Sequence, residues 1–110
     1  MTVIVSDDMM SAAMQVLASD NHAEAKARYE KLERQRKVVL ARLERESNEK
    51  SVKERETYAL THPHYAAFCE ELEVAEKAYF VARDRRDSAD AITRAWQTGK
   101  ADARAAERIR

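Results

Sequence analysis

One row of side chains constrains the fold of this chain more than any other feature. Large or small apolar residues recur at alternating spacings of three and four between positions 65 and 96, namely Tyr65, Phe68, Leu72, Ala75, Tyr79, Ala82, Ala89 and Trp96. This spacing places them on one side of an α-helix, where Arg86 and Thr93 interrupt the row. The row predicts a long helix that faces another helix.

The scarcity of turn residues points the same way. Gly99 and Pro63 are the only glycine and the only proline among 110 residues, which argues against a β fold rich in turns. Hydrophobic residues make up 45% of the chain and charged residues 36%, a balance typical of helices with a narrow apolar stripe. We therefore predict an all-α protein with a thin core, which favours oligomerisation or a partner.

Capping signals set the predicted limits of the first helix and of the connector after it. Ser6 precedes two aspartates and has the pattern of an N-cap, so the first helix is predicted over about residues 7–46, with a kink or a restart near Asn21. Residues 47–61 form the predicted connector. Before Ala59, its large aliphatic side chain is Val52, and most of the other side chains there are polar. Within it, Ser51 and Glu54 have the spacing that caps a short helix.

Proline and glycine bound the second predicted helix. Pro63 favours the first position of a helix and disfavours helical backbone in the residue before it. Gly99 is a common type of residue just beyond a helix end. We therefore predict a second helix over residues 63–98, followed by a short tail helix in 99–110 that is frayed or depends on a partner.

Antiparallel pairing of the two helices gives a definite register. When paired positions add to about 108, apolar residues face apolar residues along most of the hairpin. The predicted pairs include Leu43 with Tyr65, Leu40 with Phe68, Leu32 with Ala75, Tyr29 with Tyr79, and Met14 with Trp96. A turn centred on Pro63 would instead set apolar residues against the charged connector. We expect residues 1–110 to form one helical-hairpin domain that assembles into a dimeric helical bundle.

The charges cancel overall but are segregated along the chain. Of the 20 basic and 20 acidic residues, 11 basic and six acidic ones lie in positions 25–55, whereas four basic and eight acidic ones lie in positions 56–93. A neutral total weakens the case for non-specific DNA binding. The opening residues lack a basic segment, and no stretch reaches the ~20 apolar residues that span a bilayer. We expect a cytoplasmic protein without a membrane-spanning segment, and the lone Cys69 cannot form an intrachain disulfide.

Two arginines occupy positions that the helical spacing directs toward the seam. In the predicted register Arg36 lies opposite Leu72, and Arg86 lies opposite His22. A desolvated arginine needs a carboxylate, and Glu33, Glu76 and Asp90 are in reach. One interpretation is a polar layer whose long side chains extend to the edge of a thin interface. The other is that these arginines contact an acidic partner or a phosphate.

A second group of candidate contacts lies at the end of the chain. Its basic residues are Arg94, Lys100, Arg104, Arg108 and Arg110. The last three recur at close to helical spacing and form a positive stripe, which suits contacts to phosphates that weaken with salt. Together with the basic first helix, this stripe supports direct nucleic-acid binding as an alternative function, while ordinary solvated helix surface remains the simpler interpretation.

The sequence offers no pattern for catalysis or for a cofactor. His22, His62 and His64 lack the ligand spacing of a metal site, and the glutamates at 70, 71, 73 and 76 lack the histidine of a helical di-iron motif. A single glycine does not provide a glycine-rich phosphate loop, and no nucleophile arrangement is present. We expect a non-enzymatic protein without cofactors or bound metals.

The second half of the chain, which places Trp96 and Thr98 before an Ala/Arg-rich tail, resembles small helical accessory proteins encoded by bacteriophages and prophages. The resemblance covers residues 65–108 and implies a role beside recombination or replication genes in a bacterial host. The expected function is a helical interaction protein that oligomerises and binds a protein of a DNA-handling or host-defence machine. A scaffolding coiled coil in virion assembly is a further alternative to nucleic-acid binding.

Overall fold

The computed structural model describes residues 4–109 and contains four α-helices with no strand in that range. These are α1 (Asp7–Ala18), α2 (Asn21–Glu46), α3 (Val52–Leu60) and α4 (Pro63–Ile109). The all-α prediction is thus confirmed. The chain divides into two compact units, one formed by Ala23–Tyr79 and the other by the residues up to His22 together with those from Phe80 onward.

The unit formed by Ala23–Tyr79, here called the hairpin unit, contains the predicted antiparallel pair of long helices. Its core cluster joins Leu32 of α2 to Phe68, Leu72 and Ala75 of α4. Tyr29, Val39 and Tyr65 pack against this cluster. The rings of Tyr29 and Tyr79 lie 5.6 Å apart between centroids, which confirms the predicted pairing of these two positions.

The connector of the hairpin unit contains a helix, as its capping pattern predicts. The Ser51 hydroxyl accepts a hydrogen bond from the Glu54 backbone N–H at 3.1 Å, which begins α3. Ala59 on α3 is completely buried. The backbone carbonyl of His62 accepts the first hydrogen bonds of α4, and Pro63 is its first residue. The predicted helix start at Pro63 is therefore confirmed.

The other unit, here called the terminal unit, combines α1 with the later part of α4. Ser6 caps α1 by accepting a 3.1 Å hydrogen bond from the Met9 N–H. Ala13 and Ala89 are its buried apolar residues among those described. Trp96 reaches Asp7, with 3.4 Å between Nε1 and the carboxylate oxygen. No described contact tests the predicted pairing of Met14 with Trp96, which stays a prediction.

The predicted first helix is divided, and the restart interpretation is the one that the structure supports. α1 ends at Ala18, and Ser19 has extended backbone, with φ −77° and ψ 149°. Its N–H and its hydroxyl both bond to the Val16 carbonyl, at 3.2 and 2.8 Å. These bonds satisfy an end carbonyl of α1 before α2 begins at Asn21.

The predicted helix end at Gly99 and the separate tail helix after it are wrong. α4 continues through Gly99 to Ile109, and no glycine has a positive φ. A glycine that ends a helix usually adopts the left-handed conformation, which this one does not. The alanines and charged residues on both sides favour helix strongly enough to outweigh the ~1 kcal/mol propensity cost of one glycine. Within residues 4–109, no helix has an apolar stretch long enough to cross a membrane.

Candidate functional site

A cleft of about 340 Å³ lies in the terminal unit beside the break between α1 and α2. Its polar lining comes from α1, the break, the start of α2 and α4, and consists of Gln15, Ser19, Asn21, His22, Arg85 and Arg86. Small or aliphatic side chains of α1 and α4 complete the walls. Ser19, whose extended backbone ends α1, is part of the cleft lining.

The predicted opposition of Arg86 and His22 is confirmed. Nη1 of Arg86 lies 3.1 Å from Nδ1 of His22. Arginine has only hydrogen-bond donors, so Nδ1 of His22 is the acceptor in this contact. The carboxylate proposed for Arg86 is engaged elsewhere, since Asp90 pairs with Arg94 at 2.8 Å. Among the described residues, the hydrogen-bond partner of Arg86 is thus an imidazole and not a carboxylate.

Arg36 lies in the hairpin unit and has a different environment. Its guanidinium pairs with Glu33 at 3.0 Å, one of the carboxylates that the sequence places in reach, and 44% of its side chain is exposed. Both groups influence Tyr29, whose pKa is raised by desolvation first and by the negative charges of Glu33 and Glu76 next, while Arg36 opposes the shift. This geometry fits the polar-layer interpretation of Arg36.

A second tyrosine close to Arg36 is also perturbed. Burial is the largest cause that raises the pKa of Tyr65, followed by its hydrogen bond with Cys69, and the positive charge of Arg36 acts in the opposite direction. Cys69 is a half-buried free thiol. These shifts arise from burial and from neighbouring groups along the helix interface.

The basic residues of the terminal unit are spread along α4. Arg94 is neutralised by Asp90. The Lys100 ammonium lies 5.4 Å from the centroid of the Trp96 ring, at a distance typical of a cation–π contact. Lys100 and Trp96 also line a second cleft of about 320 Å³, together with Asp7 and Gly99.

Two of the candidate tail residues are exposed on the last turns of α4. Arg104 and Arg108 are one helical turn apart and have no ion pair with any residue in 4–109. Arg110 lies outside the described residues. At about 1.5 Å per residue, Arg108 is roughly 33 Å along the helix from Arg86. The structure therefore does not bring the predicted contact residues together into one site.

One cleft residue, Arg85, is absent from the sequence prediction. It lies outside the apolar row, so periodicity gave no reason to select it, although its place beside Arg86 was a signal. Within the described part of the chain, no group of three or more potential ligands is arranged to hold a metal ion. Among the glutamates at positions 70, 71, 73 and 76 of α4, Glu71 forms an ion pair with Arg28 at 3.0 Å.

Comparisons with known proteins give no family assignment. The chain matches no protein-family model, no curated protein and no solved structure at a significant level. Its function is therefore inferred from its residues and their geometry.

Proposed function

We propose that this chain is a non-enzymatic helical interaction protein that forms a dimer and binds a protein component of a DNA-handling machine in the bacterial cytoplasm. The observation that carries this proposal is the small size of its own core. A helix pair that buries few side chains gains stability when a further surface covers its exposed apolar groups.

The burial pattern supports association. The buried apolar residues among those described are Ala13, Leu32, Leu43, Ala59, Phe68, Leu72, Ala75 and Ala89, and half of them are alanines. Larger side chains remain outside, including Val38 at 58% and Val74 at 69% exposure. Val38 and Val74 lie on α2 and α4 of the hairpin unit, away from the Leu32 cluster. We place the dimer contacts on these outer faces.

Sedimentation equilibrium over a wide concentration range tests the dimer. We expect a monomer–dimer equilibrium together with a melting temperature that rises with protein concentration, because association stabilises the folded state by mass action. A monomer that melts cooperatively at a temperature independent of concentration would refute the proposal.

A pair of matched variants locates the contacts. Val38→Gln combined with Val74→Gln removes exposed apolar area and leaves the core cluster intact, so we expect weaker dimerisation with little change in monomer stability. The control combines Lys37→Gln with Glu73→Gln at the neighbouring exposed positions. That control keeps the net charge and should retain the dimer.

The DNA-handling partner is proposed from the resemblance of residues 65–108 to phage and prophage accessory proteins. The exposed helical surfaces and the segregated charges are compatible with docking on another protein. Affinity purification of the full chain from a bacterial host should recover a subunit of a recombination, replication or nuclease complex. The purified pair should then form the complex again, and failure of this reconstitution would contradict a direct partnership.

Direct nucleic-acid binding is the second candidate, and the end of α4 favours it. Residues 97–109 are all exposed, and Arg104 and Arg108 share one face without ion partners among the described residues. Binding through this segment should weaken steeply as salt rises, since each phosphate contact releases counterions. It should also be lost when residues 100–110 are deleted. Oligonucleotide binding that survives the deletion would exclude the tail as the site.

A further inference from the structure

The cleft beside the α1–α2 break has an unusual charge balance for this protein. Acidic and basic residues are equal in number over the whole chain, yet the cleft is lined by two arginines and a histidine and by no carboxylate. Arg85 makes no ion pair or hydrogen bond with any described residue. Among the described residues, the cleft lining therefore carries positive charge that no carboxylate pairs with directly.

The hydrogen-bond partner of Arg86 does not offset this positive charge, because an imidazole carries no negative charge. Elsewhere in the structure, arginines that are held in place are held by carboxylates, as in Arg28 with Glu71 and Arg94 with Asp90. His22 instead orients Arg86 by accepting one hydrogen bond and contributes no negative charge when it does so. Four of the five guanidinium donors remain for another acceptor, and a planar guanidinium suits the paired oxygens of a carboxylate or a phosphate.

The surroundings of the cleft limit the size of the anion. Asp84, Asp87 and Asp90 lie on α4 near the two arginines, and Asp20 lies in the break. A polyanion such as DNA would meet these carboxylates and be repelled, whereas a single oxyanion would meet only the cleft.

We propose that the cleft binds one small oxyanion between Arg85 and Arg86, with chemistry common to inorganic phosphate and to a carboxylate group. The side-chain amides of Gln15 on α1 and Asn21 at the start of α2 also line the cleft. This site is separate from the proposed dimer contacts of the hairpin unit, so either proposal can fail while the other holds.

Titration of the full chain followed by amide and arginine side-chain NMR tests the proposal. Sodium phosphate or sodium acetate is added at constant ionic strength, with sodium chloride as the reference. We expect saturable shifts at residues 19–22 and 82–86 for either oxyanion. Arg86→Gln should weaken binding about tenfold or more, because it removes charge-assisted hydrogen bonds.

Two further variants and one further ligand complete the test. Arg86→Lys keeps the charge but loses the planar fork, so its affinity should fall between those of the wild type and Arg86→Gln. Arg94→Gln, on the same helix but outside the cleft, should bind within twofold of the wild type. Equal weakening by Arg94→Gln, or shifts no larger than those with chloride, would overturn the proposal. Oligonucleotide binding that depends on Arg86 would overturn its restriction to small anions.

Discussion

Replacement of Gly99 by alanine tests the continuity of α4 through a position where sequence alone predicts a helix end. Gly99 has no positive φ, and a Cβ added to it would meet nothing within 4 Å. Alanine is favoured over glycine in a helix interior by about 0.8–1.0 kcal/mol. Gly99→Ala should therefore stabilise the helix. A left-handed glycine at a helix end would give the opposite sign, since alanine is strained there.

The magnitude depends on the helical segment beyond Gly99. Residues 100–109 are helical and exposed, so few tertiary contacts add to their own helix propensity. A gain of about 1 kcal/mol multiplies the helix–coil equilibrium of this segment roughly fivefold. The change should be local, because residues that fray open independently contribute little to global unfolding.

Amide hydrogen exchange and Cα chemical shifts of residues 100–109 measure this equilibrium directly. We expect about fivefold slower exchange in Gly99→Ala and a small gain in helical circular dichroism. The matched control Ala105→Gly should reverse both changes, and the double variant should return close to the wild type. Lower helicity or faster exchange in Gly99→Ala would refute the continuous helix.

Three further predictions concern the hairpin unit. Leu72→Ala should cost about 2–5 kcal/mol in urea unfolding because Leu72 is 5% exposed within the core cluster, whereas the exposed neighbour Glu73→Ala should cost less than about 0.5 kcal/mol. Tyr29 and Tyr65 have raised pKa values in the folded state, so the free energy of unfolding should be full below their ordinary pKa of 10.0 and fall as pH rises above it. This loss of stability between pH 8 and pH 11, measured by denaturation, should be smaller in Tyr29→Phe. Ser51→Ala should cost about 1 kcal/mol by removing the N-cap of α3, and unchanged thermal stability would contradict that role.

Local signals predicted the helix limits well where one residue decides the backbone. The start of α4 at Pro63 follows from the fixed φ of proline, and the start of α3 follows from the Ser51 side chain that accepts a backbone hydrogen bond. Gly99 failed as such a signal because glycine permits a helix end without imposing one. Its propensity cost is small beside the summed preference of the residues on either side.

Register was predictable where large side chains meet. Tyr29 with Tyr79 and His22 with Arg86 are found as the helical spacing predicts, because apolar and polar rows can match in few alignments. In the terminal unit Trp96 donates a hydrogen bond to Asp7, and the pairing of Met14 with Trp96 stays a prediction.

The candidate cleft needed the tertiary structure. Sequence selected Arg86 from its place in the apolar row, but the row did not show that Arg85 lines the same cleft. Which partner an arginine takes among many nearby charges depends on distances of a few ångströms. Asp90, for example, pairs with Arg94 and leaves Arg86 to His22.

The sequence by itself determined the all-α fold, the helical hairpin and most of its caps, because these depend on spacing and on interactions between residues a few positions apart. That α4 runs on through Gly99 is a local outcome, because the residues on both sides favour helix. Only the tertiary structure decided that the kink or restart near Asn21 is a full break at Ser19 and that Arg85 and Arg86 line one cleft with residues of α1, because side chains far apart in sequence meet only through packing.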